Sequence, residues 1–309
     1  MSSEEFEDLR PLLFSIAYRI LGSVSDAEDA VQETWLRYQA SSTPPVSLKS
    51  FLAAVVTRVS IDVLRSARVR RESYVGHWLP EPLLTDDAAP YPAPEHAAEL
   101  ADSLSMAALL LLERLSPEQR AVFVLHDVFG FPFAEIADIL DRSEASCRQL
   151  ASRARRHMDA ERPRFDVDRR ERDELAARFF DALTVGDVEG LRELLAADVE
   201  VYGDGGGKAP QWMRVVVGVD KVARMLGGLG RRFAGTGATV ERHEVNGQPG
   251  AVLRDAAGRV INVMAIDVLG GRIQVVRSVI NPDKLHHIGP VADAWALMRD
   301  ARSAGPGEQ

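Results

Sequence analysis

The sequence holds a single cysteine, Cys147, among 309 residues. One thiol cannot close an internal disulfide, and no Cys/His cluster has the spacing of a zinc site. Long apolar runs are also missing. The longest, Met106 to Leu112 (MAALLLL), is far too short to cross a bilayer. The opening residues, Ser2 to Asp8, are acidic where a secretory leader would be basic and then apolar. These absences lead us to expect a cytoplasmic protein with no membrane partner, no metal and no cofactor. Positive charge is in short supply: 37 Lys and Arg against 46 Asp and Glu leave a net charge of −9, which excludes a protein coated in nucleic acid.

A phosphate-gripping loop is absent as well, although "VYGDGGGKAP" (Val201 to Pro210) imitates one. A P-loop needs a glycine five residues before the Gly-Lys pair and a Ser or Thr after it. Tyr202 and Ala209 occupy those positions, and Pro210 follows at once. The three glycines need another explanation.

What is present is segregated. Acid dominates the start (Glu4, Glu5, Glu7, Asp8, Asp26, Glu28, Asp29, Glu33), while base gathers in two blocks, Arg58 to Arg71 and Arg148 to Arg156. Local clusters, not the total, decide whether a DNA phosphate is attracted. A hydrophobic share of 46% is that of an ordinary globular chain, and the length allows two or three domains.

Residues 5 to 72 read as helices. In "SDAEDAVQETWLRYQ", Ser25 is the expected N-cap, and Ala27, Val31, Trp35 and Tyr38 recur at helical spacing as a buried stripe. "SLKSFLAAVVTRVSIDVLRSARVRR" is a second helical run without an interior Gly or Pro. Five prolines between Pro80 and Pro94 then mark a linker. Its "WLPEP" (Trp78 to Pro82) carries a large aromatic that a bland spacer does not need, so Trp78 is read as a docking point.

Helices resume by Leu100. "LSPEQRAVFVLHDVFG" opens on Ser116 as N-cap, Pro117 at the first helical position and Gln119 as capping-box partner. "FAEIADIL" and "EASCRQLASRARRHM" follow, separated by Asp141, Arg142 and Ser143, which suggests a helix-turn-helix. On the second of these helices Cys147, Leu150, Ala151, Ala154 and Met158 share one face, so Cys147 reads as a small core residue. The other faces hold arginines, Gln and Ser, the profile of a major-groove reader. Ser143, Arg148, Gln149 and Ser152 are the base or near-base candidates; Arg153, Arg155 and Arg156 suit phosphates.

From about Arg172 two helical runs, a strand, a short helix near Val219 to Leu226 and strand-like runs with turn signals (Asn246-Gly247, Asp255 to Gly258, Gly270-Gly271) predict an α+β domain with an antiparallel sheet.

The motifs resemble a known family. "LSPEQRAVFVLHDVFGFPFAEIADILDRSEASCRQLASRARRHM" looks like region four of extracytoplasmic-function sigma factors, which contacts the −35 promoter element. "SDAEDAVQETWLRY" looks like their region two, which docks on RNA polymerase. The resemblance implies that Asp29, Gln32 and Glu33 face core polymerase; all three lie off the Val31/Trp35 stripe and offer acceptors to basic groups. It also implies that Arg58, Arg65, Arg68, Arg70 and Arg71 track the −10 strand. Where relatives often carry Asn after the first of these arginines, this chain has Val59, and Pro132 replaces their helix-opening Ser or Thr.

The last third resembles SnoaL-like domains, a cone of curved sheet. Sigma factors with this extension share WLPEP, DGGGK and NPDKL segments, here Trp78 to Pro82, Asp204 to Lys208 and Asn281 to Leu285. The expected regulatory contact comprises Trp78, Pro80, Asp204, Gly205, Gly206, Gly207, Lys208, Asn281, Pro282, Asp283 and Lys284, with the glycines allowing close backbone approach.

The expected organisation is two all-α sigma domains followed by an α+β SnoaL-like cone. Region two spans 1–72, a linker 73–99, region four 100–160, a second linker 161–171, the SnoaL-like domain 172–290 and a tail 291–309. The expected partners are core RNA polymerase, promoter DNA and a small apolar ligand in the cone. Two rival readings are a ligand-responsive helix-turn-helix regulator and a cone-fold isomerase or hydrolase with a DNA-binding appendage. The second would draw on Asp204, His243, Asn262, Asp267 and Arg277. No acid-base pair stands out among them, and the chain is expected to catalyse nothing itself.

Overall fold

The structure, a computed structural model, describes residues 3–41, 45–86, 103–161 and 168–303; of residue 3 and of residues 67–72, 160–161 and 300–303 it describes the backbone alone. Linker residues 87–99, the helix start at Leu100, linker residues 162–167 and tail residues 304–309 lie outside this description. The chain divides into two compact units, residues 1–73 with 87–163, and residues 74–86 with 164–309.

The first unit is helical. Helix α1 (Ser3–Leu21) buries Leu13, Ile16, Ala17, Ile20 and Leu21 completely, at steps of three and four. Gly22, with φ at 68°, ends it in the left-handed region. Helix α2 (Val24–Ala40) is capped by Ser23, whose hydroxyl accepts from Asp26 N at 3.1 Å. The expected cap, Ser25, sits one residue inside the helix and its hydroxyl meets that of Ser23 instead. Ala27, Val31 and Tyr38 are buried as expected; Trp35 is half-buried, its ring 4.7 Å from that of Phe6. Helix α3 (Leu48–Glu72) completes this group and buries Leu52, Ala53 and Val56. Val59 is buried too, which is the physical reason an apolar residue suits that position.

Helices α4 (Met106–Leu112) and α5 (Pro117–Phe123) precede a π-helical turn (Val124–Val128). The capping box forms as expected: Gln119 N donates to Ser116 Oγ at 3.2 Å and Ser116 N to Gln119 Oε1 at 2.9 Å. Helix α6 (Phe133–Leu140) opens on Pro132 with no side-chain cap and closes on Asp141 at φ 52°. Helix α7 (Glu144–Glu161) follows, with Ser143 Oγ accepting from Ser146 N at 3.2 Å. Its apolar back, Cys147, Ala151, Ala154 and Met158, is buried, and burial pushes the Cys147 thiol up from its ordinary value.

In the second unit, α8 (Arg169–Val185) and α9 (Val188–Leu194) lead into β1 (Leu195–Asp204). After the short β2 (Val216–Val217) and α10 (Val219–Phe233) come β3 (Thr239–Val245), β4 (Gln248–Arg254), β5 (Val260–Leu269) and β6 (Arg272–Val279). The strands form one sheet in the order β2-β1-β6-β5-β4-β3. It is mixed rather than antiparallel, because β1 pairs parallel to β6. Sequence patterning shows where strands lie; the partner of β1 is chosen by the crossover through α10 and the three hairpins that follow. Asn246-Gly247 and Gly270-Gly271 make two of the three hairpin turns, with positive φ at both residues, as their composition predicts. Phe179, Phe180, Leu183, Leu191, Leu194, Val222 and Leu226 from the helices pack with Met264, Ile266, Val268 and Val276 of the sheet.

Two parts expected as linker and tail are built into the second unit. Residues 74–86, read as linker, belong to the second unit and bridge to β3 at Leu84↔Val245; we call them the strap. Of the expected tail, residues 294–303 form α11 (Ala294–Ser303).

Candidate functional site

On α2, Asp29 and Gln32 are exposed, and Glu33 is half-buried and accepts from Arg37 Nε at 2.7 Å. Ser143, which precedes α7, and Arg148, Gln149, Ser152, Arg153, Arg155 and Arg156 on it are all exposed, away from the buried back. Three of the arginines are already engaged. Arg148 pairs with Glu144 and lies 5.5 Å from the centre of the Phe133 ring, and Arg155 pairs with Asp127. Arg156 Nε donates to Ser152 O at 3.3 Å.

Arg58 and Arg65, expected to track a DNA strand, bind the second helical group in this structure. Arg58 donates from Nε to Ile139 O and from Nη2 to Asp138 O, both at 2.8 Å, at the carbonyl end of α6, where a cation meets the negative end of the helix. Arg65 Nη2 meets Glu118 Oε1 at 2.6 Å. Burial alone would raise the Glu118 carboxyl, but the Arg65 guanidinium and a backbone N–H override it and hold it below the ordinary carboxylate value. Ser50 Oγ donates to Glu135 Oε2 at 2.9 Å, and Arg120 Nε donates to Arg19 O at 2.8 Å, so the two helical groups share polar contacts along α1 and α3. The side chains of Arg68, Arg70 and Arg71 lie outside the described residues.

The second unit brings the three segments WLPEP, DGGGK and NPDKL onto one buried carboxylate. Asp204, at the end of β1, is fully buried. Its Oδ2 accepts from Leu79 N at 2.8 Å and from Lys284 Nζ at 2.7 Å, and its Oδ1 accepts from the Tyr74 hydroxyl at 2.5 Å. Lys284 also donates to Leu79 O, and its ammonium lies 4.4 Å from the centre of the Trp78 ring and 4.9 Å from that of Tyr74. Asn281 Nδ2 donates to the Tyr74 hydroxyl at 2.8 Å, and Asn281 Oδ1 caps the 3-10 turn Pro282–Lys284 through Asp283 N. Lys208 pairs with Asp283 at the surface, and Pro80 is buried.

Burial, the hydrogen bond to Asp204 and that carboxylate's charge push the Tyr74 phenol well above the ordinary tyrosine range. The glycines earn their place by space. Gly206 and Gly207 have φ of 56° and 72°; a Cβ at Gly206 would strike the Asn281 amide, and one at Gly207 would press on Val75 at 3.2 Å.

Some of this contact gave no sequence signal. A single tyrosine, Tyr74, has no pattern around it, and the Leu79 amide is backbone. Asn246 was legible as a turn residue, but its Oδ1 also accepts from Leu83 N at 3.0 Å. Thr85 N donates to Glu244 O at 2.7 Å, Asn246 N to Leu83 O at 2.8 Å, and Asp86 meets His243 Nδ1 at 2.5 Å. The strap is thereby stitched to β3 like an added strand.

The same unit holds a cavity of about 990 Å³ between helices and sheet, walled by groups such as Leu183, Trp212, Met225, Leu229, Phe233 and Leu253 and reached by Ala294 and Met298 of α11. Of the five residues that a catalytic reading would use, only Asn262 lines it. Asp204 is held by the strap, Asp267 and Arg277 form a buried ion pair, and His243 faces Asp86. These groups do not converge on one reacting centre.

Comparison with known proteins agrees with this layout. Family models match in chain order: Sigma-70 region 2 over residues 6–70, Sigma-70 region 4 over 105–158, and a SnoaL-like domain over 176–279. The ECF RNA polymerase sigma factor SigJ of Mycobacterium tuberculosis is 42% identical over 292 residues, covering 92% of this chain and 93% of the relative. A probable ECF RNA polymerase sigma factor of the same species, SigI, is 30% identical over 89% of this chain and 92% of its own. The crystal structure of the M. tuberculosis extracytoplasmic function sigma factor SigJ superposes with a TM-score of 0.73 at 39% identity, over 94% of this chain and 100% of that one. With helices of regions two and four in order and a SnoaL-like sheet fused behind them, the chain belongs to the extracytoplasmic-function RNA polymerase sigma factors that carry a C-terminal SnoaL-like domain.

Proposed function

We propose that this sigma factor meets core polymerase through Asp29, Gln32 and Glu33, reads the −35 element with Ser143, Arg148, Gln149 and Ser152, and holds phosphates there with Arg153, Arg155 and Arg156. Arg58 and Arg65, with Arg68, Arg70 and Arg71, then follow the −10 strand. The observation that carries the reading is the engagement of Arg58 by α6 and of Arg65 by α5. Both now bind α5 and α6, so the −10 face is free only after the two helical groups part. Polymerase binding would drive that separation, since a partner shifts an equilibrium by its preference for one state.

In this reading the second unit regulates. Trp78, Pro80, Asp204 to Lys208 and Asn281 to Lys284 fasten the strap that leads out of region two. Tethering keeps its local concentration at roughly the millimolar level, so a modest contact stays closed until something opposes it. The cavity takes a small apolar ligand, and the protein works by binding, in the cytoplasm, without chemistry of its own. Run-off transcription with purified core polymerase tests the assignment, using the full chain and a form ending near residue 168. Full-length protein should direct initiation at a defined start site, and truncation should change the output while polymerase still binds. Unchanged output would remove the regulatory role, and the absence of any start site would remove the reading as a whole.

A further inference from the structure

We infer that the cavity of the second unit receives an amphipathic carboxylate, with its apolar body among the wall side chains and its charged end at the rim beside Arg224 and Arg232. The inference deepens the ligand part of the proposed function and rests on it.

The cavity's size, about 990 Å³, is at the upper end of the range for sites that enclose drug-sized molecules, about 300–1,000 Å³. It is partly open to solvent, so a guest can bury one end and keep the other wet. Helix α10 supplies both surfaces. Met225, Leu229 and Phe233, at steps of four, line the cavity as an apolar row. Arg224, Gly228 and Arg232 make the neighbouring row; they line it too, and both arginines are exposed.

The lining is one-sided in charge. Among the described residues, Arg224 and Arg232 are its only charged members, and no Asp or Glu lines it. That is against the composition of the chain, which holds 46 Asp and Glu and a net charge of −9. Neither arginine has a carboxylate partner among the described residues; Arg232 Nη1 lies 3.9 Å from the Met298 sulfur. Their neighbour Arg231 is engaged elsewhere, donating to Gly186 O at 2.7 Å. Two cations of one sign against a low-dielectric wall focus a positive potential at the opening. Each presents the planar fork of donors that matches a carboxylate. A neutral head leaves that potential unused, and an ammonium is repelled by it. The net charge of the chain acts the other way, drawing cations and repelling anions, so a preference for the anion has to come from the rim itself.

Fluorescence titration of the intact protein tests this with three probes of one skeleton and different charge: 1-pyrenebutyrate, 1-pyrenebutanol and 1-pyrenebutylammonium. At about 0.1 M salt the carboxylate should bind saturably and about three- to tenfold more tightly than the alcohol, the worth of solvent-exposed ion pairs with two guanidinium groups. The ammonium should bind most weakly. At about 1 M salt, where the screening length falls from about 10 Å to about 3 Å, the carboxylate's lead should shrink. Arg224→Gln combined with Arg232→Gln should erase the lead while the alcohol's Kd stays within about twofold. Leu229→Trp, which fills the cavity, should weaken all three. Equal binding of carboxylate and alcohol by the unaltered protein, or a lead for the alcohol, would overturn the anionic class without need of any variant and leave the apolar-ligand reading standing. A lead that survives in the double variant would overturn the role of the two arginines. Binding unaffected by Leu229→Trp would place the site outside the cavity. No saturable binding of any probe would overturn the ligand reading beneath the inference. None of these measurements needs polymerase.

Discussion

Asp204→Asn removes one charge from the centre of the strap contact and almost no volume. The native carboxylate is fully buried and accepts from Tyr74, from Leu79 N at 2.8 Å and from Lys284 at 2.7 Å. The asparagine keeps one oxygen for these three donors and turns an NH₂ group towards the rest. Lys284, also buried, loses the charge of Asp204, although the Leu79 carbonyl and the rings of Trp78 and Tyr74 remain. Breaking a buried pair by removing one partner costs about 3–5 kcal/mol, and the retained oxygen and the rings favour the lower end. At about 1.4 kcal/mol per tenfold, strap opening should become 100- to 1,000-fold more frequent. Amide hydrogen exchange reads this directly. Protection of Leu79, Leu83, Thr85 and Asn246 should fall together by that factor or reach the unprotected limit, while amides within β5 hold theirs. Adding Lys284→Met should recover part of the loss, because the charge that faced Asp204 goes too. Unchanged protection of Leu79 and Thr85 would refute the claim that Asp204 fastens the strap. An equal fall in β5 would show that it holds the whole unit.

Four further outcomes can be checked. Charge reversal at Asp29 and Glu33 should abolish co-purification with core polymerase, and undiminished binding would remove that surface. Arg148→Ala should cost about 1–3 kcal/mol of discrimination between promoter and mutated −35 sequences; a uniform loss on all DNA would make it a phosphate contact. Strap protection should not depend on Tyr74 ionisation below pH about 10 and should decline above it, because a phenol whose folded pKa is raised stabilises below its unfolded value and loses that contribution as pH rises. Tyr74→Phe should lack this alkaline dependence. Glu118→Gln should loosen the contact between the two helical groups at neutral pH and remove its weakening in acid. The Glu118 pKa is lowered by folding, so its contribution is present above the unfolded value and is lost as pH falls through the folded one. With Arg65 more than half exposed, the effect should be small.

Periodicity and capping are local properties, and they were legible. The Ala27/Val31/Tyr38 stripe, the Ser116/Gln119 box and the buried back of α7 all follow from spacing within one helix. The cap of α2 fell two residues earlier than expected, since Ser23 and Ser25 are both competent and the Gly22 turn selects the first. Trp78 and Pro80 marked the strap as a docking segment, but its reach along β3 to Asp86 left no sequence signal, because prolines argue for extension and not for or against pairing. An extended segment with buried Leu79 and Pro80 has the same composition as a free one. Likewise the segment expected as tail holds α11.

By itself, the sequence determined the order of the helical groups, the turn chemistry of the hairpins, the arginine-bearing face of α7 and the family, all set by neighbours a few residues apart. Only the tertiary structure decided that Arg58 caps α6, that Asp204 gathers Tyr74, Leu79 and Lys284, and that Asn262 lines a cavity while Asp267 and His243 do not. These contacts join residues 80 to 130 positions apart or select one strand face over another, and such choices are made by packing, on which local propensity is silent.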